Sequence, residues 1–448
     1  MRQIAMTTSR LRNSATRSIA IIAAILMSVV VCAGRAQSGR TSAGSSPSLE
    51  DGNGSEIPGA FMPHWRAGAE KHGIKLSLQD MYDFQGNPSG GRTQVGTVFG
   101  RTTATLSLDL TRLAGVPGAS VFASGLFQTG SNLATTYIGA WDLTSSIAGT
   151  HTIRVNEYYW QQVLLQKKLT IRGGQIAAGT EFGNQAIGFD DQGSAFKTWV
   201  NNSLASGLPT VTELYLPVPP AGKPGLLILL DPTKSIFLKV GVLSGTHNMF
   251  EGDENGTRFD LRNAPLAAVS IGWKSSDPSK AHPGVYKFGL ISNFGYFQRF
   301  GSHALTHGND ALFANAGYAL WRARKPDSSY SHRGVDAQVS LAAAPRVLNR
   351  SDFETADGFR FVGLTPRRPS DIAAIGIVYA HFSRDWNRDL QAQHLPGRAS
   401  QTNLEVSYKI VFSRWFSLWP DFQYVWKPSG DRRVSDAPVL GLRVVFDH

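Results

Sequence analysis

Asn403-Leu404-Glu405-Val406-Ser407-Tyr408-Lys409-Ile410-Val411-Phe412 alternates oily and polar side chains. Leu404, Val406, Tyr408, Ile410 and Phe412 share one parity, and Asn403, Glu405, Ser407 and Lys409 share the other. Successive side chains of an extended chain point to opposite faces, so the stretch predicts a strand with one oily and one polar face. The same period appears on both sides of it. Leu440, Leu442, Val444 and Phe446 alternate with Gly441 and Arg443. Toward the N-terminus, Val98, Ala104, Leu106, Leu108 and Leu110 alternate with Arg101, Thr103, Thr105, Ser107 and Asp109. Ile74, Leu76, Leu78, Tyr82 and Phe84 alternate with Lys75, Ser77, Gln79 and Asp83, with Asp80 breaking the oily set.

Weaker segments of the same kind lie near 118–128, 153–165, 168–177, 236–244, 266–274, 284–294, 311–322, 333–343, 359–365, 371–382 and 416–426, with one more near 210–230. The total is about sixteen, and long alternating segments separated by turn residues are the pattern of a membrane barrel. A soluble sandwich alternates over shorter strands. Aromatic residues near segment ends (Tyr82, Phe84, Trp273, Trp321, Phe382, Phe412, Trp426) fit the girdles at the two membrane interfaces. Gly115-Val116-Pro117-Gly118 makes a tight turn, while 129–151, 178–209, 245–264, 299–310 and 383–401 read as long outer loops. Six prolines within 208–232 bar a regular central strand there and suit an excursion into the lumen. The expected fold is all-β: a transmembrane antiparallel barrel of about sixteen strands, preceded by a short helix over Pro63–Lys71. The oily parity, including Leu106, Leu108, Leu404, Val406, Leu442 and Val444, is expected to face lipid.

The N-terminus carries Arg2, Arg10, Arg12 and Arg17 with no acid, then an apolar run from Ile19 to Ala33 broken only by Ser28, then Gly34 and Ala36. That layout is a secretory signal peptide, cut between Ala33 and Ala36, and the run is too short for a spanning helix. Residues 1–36 are read as the leader, 37–62 as a flexible linker rich in Ser, Gly and Thr, and 63–448 as the barrel. Cys32, the one cysteine, would leave with the leader, so no disulfide or Cys-bound metal is expected. Loss of the five arginines up to Arg35 lowers the formal net charge from +11 to +6. Only short basic pairs remain, Lys167-Lys168, Arg367-Arg368 and Arg432-Arg433, so nucleic acid is not an expected partner.

Catalytic and metal patterns are weak. No phosphate loop, G-x-S-x-G or H-E-x-x-H occurs. His303 and His307 have a helical ligand spacing but no helix around them, and read as loop histidines. Asp253, Glu254, Asn255 and Asp260 lack the EF-hand spacing. Asp190-Asp191 lacks a neighbouring acid–base motif. Neither an enzyme nor a cofactor is expected.

Several segments together resemble the OprB family of carbohydrate-selective porins. They are Trp65 with Lys71-His72-Gly73-Ile74; Leu106-Ser107-Leu108-Asp109-Leu110 with Gly115 and Gly118; Glu157-Tyr158-Tyr159-Trp160-Gln161-Gln162 leading to Leu169–Gln175; and Trp419-Pro420-Asp421-Phe422-Gln423-Tyr424-Val425-Trp426-Lys427-Pro428 followed by Val439–Arg443. The likeness runs from about Trp65 to Phe446. It implies a sixteen-stranded outer-membrane barrel that passes sugars by facilitated diffusion, without ATP or cofactor. One departure is that Asp447 and His448 follow Phe446, where barrels of this kind usually end on an aromatic residue. Sugars, outer-membrane lipid and further copies of the chain are the expected partners. A sugar pore needs hydrogen-bonding groups and aromatic faces that bind weakly. Polar-parity residues that fit are Arg101, Glu157, Arg172, Glu405, Lys409, Asp421, Gln423 and Arg443, with Trp419 as a platform and Asp190 and Asp191 on a constricting loop. Arg172 and Asp421 are also read as partners in a network holding the wall. A general or anion-selective porin, or an adhesin acting through its loops, are the competing readings.

Overall fold

The computed structural model describes residues 63–149, 151–183, 197–206, 212–245, 255–275, 281–326 and 330–447. The expected leader and linker lie outside them. Helix α1 (Pro63–Lys71) is followed by sixteen strands: β1 (Ile74–Gly86), β2 (Gly96–Asp109), β3 (Ala119–Gly130), β4 (Thr152–Leu164), β5 (Leu169–Ile176), β6 (Lys223–Leu230), β7 (Ile236–Ser244), β8 (Pro265–Ser275), β9 (Gly284–Gln298), β10 (Leu305–Arg324), β11 (Tyr330–Ala343), β12 (Ser351–Val362), β13 (Ile372–Phe382), β14 (Ser400–Ser413), β15 (Phe416–Trp426) and β16 (Ala437–Asp447). Each strand pairs antiparallel with its chain neighbours, and β1 closes on β16 in register from Gln79↔Asp447 to Gly86↔Leu440. Closure gives every strand a partner on each side, which is what a sheet in hydrocarbon requires.

Connections alternate in length. At one end they run through 87–95, 131–151, 177–222, 245–264, 299–304, 344–350, 383–399 and 427–436. At the other end most are tight, as at 165–168, 231–235 and 414–415. The five stretches expected as outer loops all fall at the first end.

The two parities separate as the alternation predicts. Leu442, Val406 and Leu440 are 38%, 43% and 58% exposed, whereas Arg443 and Gln423 are 0% exposed. Leu106, Leu108, Leu404 and Val444, on the same outward phase, are half-buried. Exposed aromatics stand near strand ends: Tyr82, Phe84 and Trp426 toward the long-loop end, Trp273, Trp321 and Phe412 toward the other. At the tight-turn end Phe412, Phe416 and Phe446 stack with centroids 5.4 and 5.1 Å apart.

Three readings change. Phe382 is not part of a girdle: its ring is buried and meets Trp141 edge-on at 5.4 Å and Trp386 at 5.6 Å. His307 lies in β10 rather than a loop, because that strand extends further toward its loop than the alternation alone reveals. β12 begins at Ser351, eight residues before the oily period becomes legible. The cause is local. Asp357 belongs to the outward phase, between the inward-facing Ala356 and Gly358, and its Oδ2 accepts from Thr355 Oγ1 at 2.8 Å. An acid on the oily face hides the pattern.

Leu290 lies in the outward phase of β9, between Leu312 and Val269, and all three are exposed. Leu290→Arg should cost roughly 2–4 kcal/mol if it meets hydrocarbon. Urea titration of the chain folded in lipid vesicles measures this, and a variant as stable as the parent would mean that β9 does not present this face to lipid.

Candidate functional site: the lumenal wall and its loops

The inward face is polar, and much of it grips loop backbone. Two long loops lie against it. In the β3–β4 loop, Ser145 Oγ donates to Asp83 at 2.6 Å and Thr144 Oγ1 donates to Gln85 Oε1 at 2.9 Å. Gln85 and Gln423 in turn donate to Thr144 O at 2.9 and 2.7 Å, and Gln128 donates to Ile147 O at 2.6 Å. The β5–β6 loop contributes 197–206, ending in the short helix α4 (Asn202–Ser206; α2 and α3 are the turns Leu110–Ala114 and Gly179–Phe182). Glu405 accepts from Val200 N at 3.1 Å and Asn201 N at 2.7 Å. Arg443 donates to Trp199 O and Val200 O at 3.3 and 3.5 Å, and Trp199 Nε1 donates to Gln338 at 2.8 Å. The loops also hold one another, through Ser146 N to Val200 O at 2.7 Å and Asn202 N to Leu143 O at 3.0 Å.

This docking has a steric counterpart. Gly358 and Gly376 pair directly on β12 and β13. A Cβ at Gly358 would come within 2.7 Å of the Trp199 ring, and one at Gly376 within 2.8 Å of Leu204 and 3.0 Å of Trp199. The two glycines open the seat that Trp199 and Leu204 fill, beside Ala356, Ala374 and Val378.

Asp142 is buried at the loop junction. It accepts from Asn201 Nδ2 at 2.7 Å, Ser203 Oγ at 2.6 Å and Asn403 Nδ2 at 3.0 Å. Burial pushes its carboxyl up to about 6, against the opposing pull of the Ser203 and Asn201 hydrogen bonds.

The expected site residues fall into two groups. Asp83 and Arg443 form a buried two-pronged ion pair across the β1–β16 closure, both oxygens at 2.7 Å. Removing one member of such a pair costs about 3–5 kcal/mol, since a charge is left buried alone. Arg101 faces inward between Met81 and Gln128, with Arg443 and Asp83 as its charged neighbours. Asp421 accepts from Gln423 at 2.9 Å. Trp419 is 2% exposed, with Lys409 Nζ 4.6 Å and Arg443 Cζ 5.3 Å from its ring centroid and Nε1 donating to Ser417 Oγ at 3.1 Å. Its ring seats cations rather than offering an open platform.

The second group lies across β4, β5 and β7. Glu157 accepts from Ala177 N at 2.9 Å, and Arg172 donates to Gln161 at 2.7 Å. Arg172 also pairs with Glu181 of α3, which Lys239 Nζ reaches at 3.2 Å. Burial alone would push the Glu181 carboxyl up, but Lys239 and Arg172 outweigh it and hold the group at about 2. Arg172 sits 5.2 Å from the centroid of Tyr159, which stacks on Phe122 at 5.0 Å. Tyr159 and Lys239 were missed as candidates, although Tyr159 shares the parity of Glu157 and Gln161. Glu181 carries no periodic signal. Asp190 and Asp191 lie outside the described residues, as do Asp253 and Glu254. Among the described residues no cluster of three His, Cys, Asp or Glu is placed to hold a metal.

A closed sixteen-strand antiparallel barrel, oily outside and polar inside, with loops laid on its inner wall, defines a porin-type protein of the bacterial outer membrane. The chain belongs to the carbohydrate-selective porin, OprB family, whose sequence profile matches residues 93–447. Porin B of Pseudomonas aeruginosa is 22% identical over 221 residues, 44% of this chain and 48% of that protein, so the chain aligns with about half the length of that curated relative. The high-pH structure of Pseudomonas putida OprB superposes with a TM-score of 0.77 at 17% identity, covering 86% of this chain and 96% of that one. Salmonella typhi OmpF gives 0.53 at 7% identity, covering 84% of this chain and 99% of that one. At these identities the structural likeness is one of fold. Both family and fold are those of a channel.

Two outcomes test the loop seat. Gly376→Val should displace Leu204 and Trp199 and speed amide exchange over 197–206 by at least roughly tenfold, a loss of about 1.4 kcal/mol of local protection. Unchanged exchange would mean the glycine seat does not hold the loop. The second outcome concerns pH. Asp142 has a raised value when docked, so the docked form holds its proton more tightly. Its contribution is present below the ordinary value of 3.8 and is lost as pH rises through about 6. Between those limits, after correction for intrinsic exchange, protection of 197–206 should fall as pH rises in the parent and fall less steeply in Asp142→Asn. A slope as steep in the variant as in the parent would exclude Asp142 as a titrating group.

Proposed function

We propose that the chain passes sugars passively across the outer membrane, through the lumen beside the Tyr159–Arg172–Glu181 cluster. Family membership carries this reading. The cluster supports it chemically. Carboxylates, guanidinium, amide and phenol groups exchange hydrogen bonds with hydroxyls. Glu157, Gln161, Arg172 and Tyr159 offer these groups on adjoining strands. Arg101, Glu405, Lys409, Trp419, Asp421, Gln423 and Arg443, on β2 and β14–β16, are proposed as a further part of the wall, with Asp190 and Asp191 on a constricting loop. Residues 1–36 are proposed to be removed on export, with 37–62 as a linker, and further copies of the chain are proposed as partners in the membrane. An anion-selective pore is the second reading, favoured by the buried inward lysines Lys223, Lys239 and Lys287 on β6, β7 and β9.

Single-channel recording separates the two. Neutral sugars should block ion current saturably, and Tyr159→Ala should raise the half-blocking concentration roughly tenfold, equivalent to about 1.4 kcal/mol. Current blocked by phosphate or sulfate, with sugars inert, would replace the carbohydrate reading by the anion reading.

A further inference from the structure

A basic pocket sits on the outside of the barrel at the long-loop end, away from the lumen. Helix α5 (Arg384–Ala392) lies in the β13–β14 loop, capped by Ser383 Oγ accepting from Trp386 N at 3.1 Å. Arg384, Asn387, Arg388 and Gln391 fall at i, i+3, i+4 and i+7, so they share one helix face. That face and the outward residues Tyr379, His381 and Ser400 enclose a cavity of about 460 Å³, with Arg398 completing it. No acidic residue lines the cavity.

The charge balance around it is positive. Arg388 pairs with Asp385 at 3.1 Å, but Asp385 is shared with Arg346 at 3.0 Å. Arg398 pairs with Asp431 at 2.9 Å, which is shared with Arg433 at 3.0 Å. His381 Nδ1 lies 2.6 Å from Asp352. Arg384 is exposed and has no ion pair among the described residues. Asp385 and Asp431 are each shared by two guanidinium groups, Asp352 faces His381 and Asp389 of α5 faces His303 at 3.2 Å, while the uncommitted Arg384 guanidinium faces the cavity.

Depth identifies the ligand class. Tyr379 and His381 continue the outward phase of β13, directly beyond the lipid-exposed Ile375 and Ile377. Phe353, paired with His381, and Trp426, paired with Thr402 beside Tyr379, are exposed aromatics at the same level. Aromatics of that kind mark the interface between hydrocarbon and headgroups. A pocket with cations above and an oily wall below fits an amphiphile whose head is anionic. Arginine forks suit phosphate geometry.

We propose that this pocket binds the phosphate of an outer-leaflet lipid headgroup, gripped by Arg384 and Arg388, with its acyl chains lying along Ile375 and Ile377. The test is native mass spectrometry of the chain folded in the outer membrane and extracted in detergent, titrated with a bisphosphorylated glucosamine-disaccharide lipid, its dephosphorylated form, or inorganic phosphate. The phosphorylated lipid should bind at least roughly tenfold more tightly than the dephosphorylated one. Arg384→Gln/Arg388→Gln should abolish that preference, and Arg384→Gln alone, which breaks no ion pair among the described residues, should weaken it. Lys167→Gln/Lys168→Gln, at the opposite end, should leave it intact. Equal binding by the α5 double variant and the parent, an equal loss in the lysine control, or binding of inorganic phosphate without the lipid would each overturn the proposal.

Discussion

A polypeptide in hydrocarbon has no water to satisfy its amides, so each strand must find hydrogen-bond partners on both sides. In this chain that constraint is met only when β1 meets β16, and the rest of the architecture depends on the closure. It sets an antiparallel order with neighbours in sequence, places long loops at one end, and forces alternate residues outward. Asp83 and Arg443 mark the closure from inside, joining the first and last strands by a buried ion pair. Closure also creates a second requirement. Sixteen strands carry inward a wall of carboxylates, amides and guanidinium groups that the lumen must solvate or pair.

Part of the wall is paired with the chain's own loops. Glu405, Gln423, Arg443 and Gln85 hold the backbone of the β3–β4 and β5–β6 loops, while Trp199 and Leu204 fill a seat left by two glycines. The β4–β5–β7 side holds its charges differently. There Glu181 is clasped by Arg172 and Lys239, beside the stacked Tyr159 and Phe122. The lumen therefore has one side committed to holding loops and another that combines an aromatic ring with hydrogen-bonding groups.

The outside of the barrel is also differentiated. Most of its outward phase is oily, but Asp357 interrupts it on β12, and α5 adds a basic face above β13. Neither feature follows from the barrel rule. Each depends on what one strand or loop presents at a given depth, where hydrocarbon, headgroups and water impose different costs on the same side chain.

Period-two alternation by itself determined the fold class, the approximate strand number, which parity meets lipid, and which end carries the long loops. Those properties depend on backbone geometry that repeats with every residue, so a local pattern is enough. Alternation failed where the oily face was broken, at Ser351–Gly358, and where a strand outran its pattern, as β10 does. Parity also brought Arg172, Glu157 and Glu405 to the inner wall as candidates. It could not tell which inward groups are spent on loop backbone, because Glu405 with Val200 and Arg443 with Asp83 are separated by 205 and 360 positions. It could not find Glu181, which sits in a loop turn with no period, or recognise Gly358 and Gly376 as the seat for Trp199. Those assignments rest on close approach between distant segments, and only the closed barrel brings the segments together.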